Sequence, residues 1–220
     1  MLRAFYFEAK RDMTIKAAFE EHSEEVPHEH IYDSPVFKWS GLMRQKRHNR
    51  REATDMNTIY LAGGCFWGMQ KFFDQFDGVE NTEVGYANGP DQKPSYQDVC
   101  ASSGHAETVK INYDPGRITL TDLLKYYFMV IDPLSVNRQG NDRGIQYRTG
   151  IYYTDEAQLP EIEAMYAAEE KKNGSKLAVE MEPLKNFFSA EEYHQKYLDK
   201  NPGGYCHIPR MMFDLQKEQN

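Results

Sequence analysis

Ile59-Tyr60-Leu61-Ala62-Gly63-Gly64-Cys65-Phe66-Trp67-Gly68 is the stretch whose reading decides the fold. Its first four residues are apolar and read as a short buried strand that ends at the paired glycines. Beyond them Phe66, Met69, Phe72, Phe73 and Phe76 recur at helical spacing until Gly78 supplies a stop. A strand passing directly into an amphipathic helix is a building unit of α/β and α+β domains, where the helix lays its apolar stripe on the sheet. The turn between them carries a cysteine.

Working outward, Val79–Tyr86 is strand-like and Asn88-Gly89-Pro90 is a strong turn signal. Ser95–Ala101 reads as a short helix, and Glu107–Tyr113 alternates as a half-buried strand does. Leu120, Leu123, Leu124, Tyr127 and Ile131 share a helical face behind a Thr119 cap. Residues 132–149 are rich in Gly, Asn, Asp and Arg and read as a long loop, and ordered long loops inside compact domains tend to be functional. Ile151–Tyr153 is a strand, Thr154-Asp155-Glu156 caps a charged helix to about Lys172, and Lys176–Glu182 alternates again. Ser189-Ala190-Glu191-Glu192 matches a capping box and predicts a helix with Tyr193, Tyr197 and Leu198 on one side. Pro202-Gly203-Gly204 then breaks it and leaves Cys206 on a flexible tail. The expected class is α/β, an α+β two-layer sandwich: a mixed sheet flanked by helices, with a ferredoxin-like core and an irregular C-terminal tail.

The 220 residues suit one domain with an extension, and 29 aromatic residues among 40% hydrophobic ones are enough for a sizeable core. A net charge of −8 argues against general nucleic-acid or anionic-membrane binding. The longest apolar stretch near the middle, Tyr126–Ile131, is far too short to span a bilayer. Residues 1–55 differ from the rest and are expected to form an N-terminal extension that packs on the domain or is partly disordered, with residues 56–220 the catalytic domain. Met56 is a second candidate start. The basic run Arg44–Arg51 reads as a solvated face or linker. His28 and His30 lack a third ligand and make a poor metal site, and no metal or cofactor is expected. Met1–Lys10 shows no secretory pattern. Three cysteines without CxxC pairs fit neither a zinc site nor a disulfide scaffold, so reduced thiols in the cytoplasm are the expectation.

Cys65 stands where a helix dipole and unpaired backbone N–H groups favour an anion, which predicts a lowered pKa and a thiolate near neutrality. The glycines around it permit a tight turn and a close approach of substrate. Phe66 and Trp67 cannot both face the core, so at least one should line a pocket. A thiolate attacks either carbonyl carbon or sulfur. A cysteine hydrolase would need a histidine base, and His105 and His194 are candidates. Cys206 favours redox chemistry, because a second mobile thiol resolves a sulfenic acid as a disulfide.

Gly64–Gly68, Gly104-His105-Ala106-Glu107, Gln139–Arg148 and Tyr193–Tyr197 occur together and in that order. The set resembles the class A peptide methionine sulfoxide reductases over about residues 58–206. The resemblance implies reduction of the S-epimer of methionine sulfoxide, free or in proteins, with thioredoxin as the reductant and no cofactor. It casts Cys65 as the nucleophile and Glu107 as the acid that protonates the sulfoxide oxygen. Tyr96 and Tyr147 become hydroxyl donors to that oxygen, and Phe66 and Trp67 the pocket for the substrate methyl group. Asp142 and His194 contact the substrate backbone or order the site, Cys206 is the resolving cysteine, and Cys100 is a spectator.

Cys206 is the last cysteine, whereas many family members carry another beyond it, so the cycle would stop at a Cys65–Cys206 disulfide. Ala87-Asn88 and Leu134-Ser135-Val136 also depart from the family pattern, which bears on substrate breadth. Without the resemblance, Glu107 reads equally well as a solvated carboxylate, Tyr96 and Tyr147 as structural, and His194 as a surface histidine. A non-enzymatic thiol redox sensor and a cysteine hydrolase are the rival readings of Cys65.

Overall fold

The computed structural model describes residues 56–215. The N-terminal extension, its basic run and the His28/His30 pair therefore lie outside the described residues. Strand β1 (Asn57–Gly63) leads into α1 (Phe66–Phe73), β2 (Val79–Ala87), the short α2 (Tyr96–Cys100) and β3 (Ala106–Tyr113). Helix α3 (Leu120–Val130) is followed by a small hairpin, β4 (Arg138–Gln139) and β5 (Asp142–Arg143), and then by β6 (Thr149–Tyr153). The chain ends with α4 (Leu159–Asn173), β7 (Glu180–Pro183), β8 (Phe187–Ser189), α5 (Tyr197–Lys200) and a 3-10 turn at Arg210–Asp214.

Six strands form one sheet in the order β7-β6-β1-β3-β2-β8. Every pair is antiparallel except β6–β7, so the sheet is mixed. Its inner strands β6-β1-β3-β2 are joined by α1 and α3 in the split β-α-β pattern of ferredoxin-like folds, as expected from sequence. Ile59 and Leu61 of β1, Val109 and Ile111 of β3 and Ile151 of β6 pack in one core with Met69, Phe72 and Phe73 of α1 and Leu123, Leu124 and Tyr127 of α3. Burying each such side chain contributes about 1.5–3 kcal/mol, which is why the 3.6-residue and two-residue periods are so legible here. Tyr60, Ala62, Ala87, Ala106 and Tyr152 form a second, smaller cluster against Leu184 and Phe187. Among the described residues, no helix is long and apolar enough to cross a membrane.

Three expectations need correction. Ser189-Ala190-Glu191-Glu192 opens no helix. Ser189 ends β8 opposite Gly85, and its hydroxyl bonds Glu83. Glu191 is drawn to Tyr86 and Tyr96, and Gln195 grips the Val84 backbone through both its amide oxygen and its nitrogen at 3.0 and 2.9 Å. With the Ser189 hydroxyl and the Glu191 and Gln195 side chains taken by tertiary partners, the segment runs as turns until α5. The Lys176–Glu182 strand begins only at Glu180, because the Ala178 N–H turns to the Pro133 carbonyl at 2.7 Å instead of to a neighbouring strand. Finally, the Cys206 tail is irregular but packed: Ile208 is buried and Met212, Phe213 and Leu215 lie against the main core.

Candidate active site

Gly64 adopts φ +85°, a backbone state that suits glycine, and sets Cys65 at the N-cap position of α1. The thiol does not cap the helix. Instead the first amide N–H groups of α1 serve the two groups expected to react. The Phe66 N–H donates to Glu107 Oε2 at 3.0 Å, and the Trp67 N–H bears on the Cys65 sulfur. Glu107 reaches this point because strand alternation places it on the helix-facing side of β3 with Val109 and Ile111, opposite Tyr86 of β2. It is 2% exposed. Burial, opposed by the Phe66 N–H and aided by the nearby Asp142, pushes its pKa up to about 8. The solvated-carboxylate reading of Glu107 is therefore wrong, and the carboxyl is held neutral at pH 7.

Cys65 corrects the sequence expectation in the opposite sense. Its thiol is 6% exposed, and burial first, then the negative charge of Glu107, push its pKa well above the usual thiol value. The Trp67 N–H pulls the other way and loses. Dipole and amide effects seen in the sequence favour the anion, but desolvation of a buried thiol outweighs them. The resting site thus holds a thiol beside a neutral carboxyl.

The structure brings the other expected residues together. Burial, then Cys100 beside it, then charge on Glu107 and Cys65 raise the Tyr96 pKa. Burial followed by Glu107, Cys65, Tyr96 and Asp142 does the same for Tyr147. Both phenols are therefore fully protonated donors that feel the same two reacting groups. Phe66 is fully buried, with Tyr86 at 5.8 Å and His194 at 5.2 Å between ring centroids, so it backs the site. Trp67 is half-buried. Its indole donates to His194 Nδ1 at 3.0 Å and stacks on Tyr197 at 3.8 Å. His194 is 1% exposed and not the surface residue expected, and burial lowers its pKa so that it accepts as a neutral ring. Cys206 is half-buried with its Sγ against Gly68, one helical turn from Cys65, and both are free thiols. Exposed Cys100 sits at the end of α2.

Several contributors were missed by sequence reasoning. Glu191 accepts from the Tyr86 hydroxyl at 2.8 Å and from the Tyr96 N–H at 3.1 Å, fixing two walls of the site. Gln139 exchanges two hydrogen bonds with the Asp132 backbone, at 2.8 and 2.9 Å, and closes the long loop that presents Asp142. Arg148 ties down the turn that carries Tyr147. Gln139 and Arg148 bound a motif in the polar residues 132–149, Glu191 follows Ser189 with nothing to mark it, and no local pattern names the partners of any of the three. Among the described residues, no group of three or more His, Cys, Asp or Glu side chains is placed to hold a metal ion.

Both hydrolase bases considered from sequence are committed elsewhere. His105 meets Ser103 Oγ at 2.9 Å and the Pro90 carbonyl at 3.0 Å, while His194 holds Trp67.

A ferredoxin-like α+β core with a cysteine at a strand–helix junction, a neutral buried carboxyl and a second thiol one turn away defines a thiol-dependent oxidoreductase. A family model described as peptide methionine sulfoxide reductase matches residues 57–220. The peptide methionine sulfoxide reductase MsrA of Lachnoclostridium phytofermentans is 55% identical over 161 residues, covering 73% of this chain and 97% of that protein. The MsrA of Clostridium acetobutylicum is 54% identical over 156 residues, covering 70% and 96%. Among solved structures, reduced Mxr1 from Saccharomyces cerevisiae superposes with a TM-score of 0.67 at 39% identity, covering 70% of this chain and 91% of that one. Methionine sulfoxide reductase A of Corynebacterium diphtheriae gives 0.63 at 35% identity, covering 73% and 86%. The chain belongs to the peptide methionine sulfoxide reductase family. It is accordingly an oxidoreductase, and its thiols reduce methionine sulfoxide.

Proposed function

We propose that the chain reduces the S-epimer of methionine sulfoxide, free or in oxidised proteins, through a Cys65 sulfenic acid and a Cys65–Cys206 disulfide. The observation that carries this reading is the buried Glu107 carboxyl, neutral up to about pH 8 and sharing the first turn of α1 with Cys65. Cys65 sulfur attacks the sulfoxide sulfur as Glu107 delivers its proton to the oxygen, and the Tyr96 and Tyr147 hydroxyls donate to that oxygen as its charge grows. The thiol proton returns to Glu107. The protonated oxygen passes to the Cys65 sulfur: the substrate S–O bond and the transient S–S bond break as a Cys65 S–O bond forms, so methionine leaves and Cys65 carries the hydroxyl as a sulfenic acid. Trp67 and Phe66 hold the substrate methyl group, with Asp142 and His194 ordering the site around it.

Cys206 then displaces the hydroxyl, and water leaves. Reductant access is supported by a cleft of about 610 Å³ that opens on Cys206 and not on Cys65, lined also by Lys71, Gln75, Asp199 and Arg210. Thioredoxin, a protein dithiol, is the reductant we assign there. Residues 56–220 form the catalytic unit, working in the cytoplasm, where thiols remain reduced.

The test is incubation of the reduced protein with separate S- and R-epimers of a methionine sulfoxide peptide and dithiothreitol, with methionine measured. Turnover of the S-epimer alone is expected. Turnover of the R-epimer, or of neither, overturns the reading.

A further inference from the structure

His207 follows Cys206 directly and has no part in the scheme above. Its side chain is 4% exposed, and neither ring nitrogen finds a hydrogen-bond partner among the described residues. The Gly63 backbone lies beside the ring without reaching good hydrogen-bond geometry. One buried oxygen faces it: Asp142 Oδ2, itself unpartnered, 3.7 Å from Nδ1. Leaving two buried polar groups unpaired in contact range costs stability, and such a cost points to a use.

The surroundings show where the ring is aimed. A Cβ on Gly64, the residue before the nucleophile, would stand 3.0 Å from His207 Cε1, and one on Gly140 would stand 3.2 Å from His207 Cβ. Both positions are glycines with positive φ, and the one at Gly64 leaves room for the imidazole as well as for the Gln139 side chain. His207 follows Cys206 in the chain, its ring lies beside the turn that carries Cys65, and Asp142 is the common neighbour of the ring and of both thiols. The ionisable groups around this cluster are Asp142, Tyr205, which bonds Asp142, the two thiols, and Arg210 beside Cys206.

Resting on the reaction proposed above, we infer that His207, oriented by Asp142, is the proton carrier of the resolving step. The Cys206 S–H bond breaks as its sulfur attacks the Cys65 sulfenic acid, and His207 takes the proton. The S–S bond forms, the Cys65 S–O bond breaks, and His207 returns the proton to the departing hydroxyl, which leaves as water. Cys206 sulfur is oxidised and Cys65 sulfur reduced by the same step, so no outside reagent is needed. Such a carrier is useful because burial raises the Cys206 thiol above its ordinary pKa, leaving little thiolate at pH 7. Burial also lowers the His207 pKa, so the ring is neutral and able to accept.

The test is a rapid-quench single turnover of the full chain with one equivalent of the S-sulfoxide, following methionine release and Cys65–Cys206 disulfide by mass spectrometry between pH 6.5 and 8.5. In the native protein, disulfide formation should be nearly independent of pH, because His207 stays neutral throughout. His207→Gln should slow it about 100-fold relative to methionine release at pH 7. In that variant the rate should climb about tenfold per pH unit, because only Cys206 thiolate can then attack. A variant disulfide rate and pH profile like the native ones would overturn the proposal. So would loss of methionine release in the variant, which would place His207 in folding or the first step. No methionine from the native protein would instead sink the reductase reading itself.

Discussion

Cys206 Sγ occupies the space that a side chain at residue 68 would fill: a Cβ on Gly68 would stand 2.5 Å from it and 3.4 Å from Ile208 Cδ1. Gly68 sits in the first turn of α1, so this vacancy parks the second thiol one turn from the first. Replacing Gly68 by Ala improves helix propensity by up to about 1 kcal/mol but overpacks the contact by about 1–3 kcal/mol. The Gly68→Ala variant should lose at most a few degrees in Tm. Cys206 should be alkylated faster than in the native protein, because the tail has been pushed off its seat. Alkylation kinetics followed by peptide mapping checks this, and unchanged protection of Cys206 would refute it.

Glu107→Gln should lower kcat/KM about 100-fold or more, because no proton is then delivered to the sulfoxide oxygen. The same change should stabilise the fold at neutral pH. With a folded-state pKa near 8 against an ordinary value near 4.5, the native chain holds a proton that the unfolded chain has lost. The stability of the native protein therefore falls by up to about 1.4 kcal/mol per pH unit from this group as pH rises from about 5 to 8. The variant lacks that slope. Urea unfolding of both proteins at several pH values will show the gap widening toward pH 8, and parallel curves would mean that Glu107 is not buried neutral.

Cys206→Ser should still release one equivalent of methionine per enzyme but fail to turn over with thioredoxin. A burst of one equivalent followed by a plateau is the expected trace. Sustained turnover with thioredoxin would remove Cys206 from the cycle.

Arg148 holds the Tyr147 turn from three sides. Its Nε meets Glu180 Oε2 at 2.9 Å, Nη1 donates to the Ile145 carbonyl at 3.1 Å, and Nη2 to the Asn88 carbonyl at 3.1 Å. Lysine keeps the charge but not the planar fork, so Arg148→Lys should destabilise the fold by about 2 kcal/mol. It should also lower kcat more than it raises KM, since the Tyr147 hydroxyl is asked for only as charge builds on oxygen. Thermal unfolding and steady-state kinetics test both parts. A variant with native kcat would show that Tyr147 does not depend on this anchor.

Local signals were reliable where one residue's chemistry and one segment's period were enough. The Thr119 cap, the short helix after Ser95, the α1 and α3 apolar stripes and the strand–Gly-Gly–Cys junction are all legible in the sequence. The Ser189 capping box failed although its letters were right. Its Ser189, and the Glu191 and Gln195 side chains of the same segment, are claimed by β2 and α2, more than 90 residues away in sequence. His194 looked like a surface residue on a helix and is instead buried beneath Trp67 because that helix does not form.

The sequence by itself determined the succession of strands and helices from β1 to α3, a cysteine at a strand–helix turn and a second thiol behind a glycine break. These follow from periodicity, backbone freedom and residue type, which act over a few neighbouring positions. Tertiary structure alone decided the protonation states. A helix N-terminus argues for a Cys65 thiolate, and an exposed strand end argues for a charged Glu107. Burial reverses both, because the cost of stripping water from a charge depends on everything packed around it and exceeds what a few amide dipoles return.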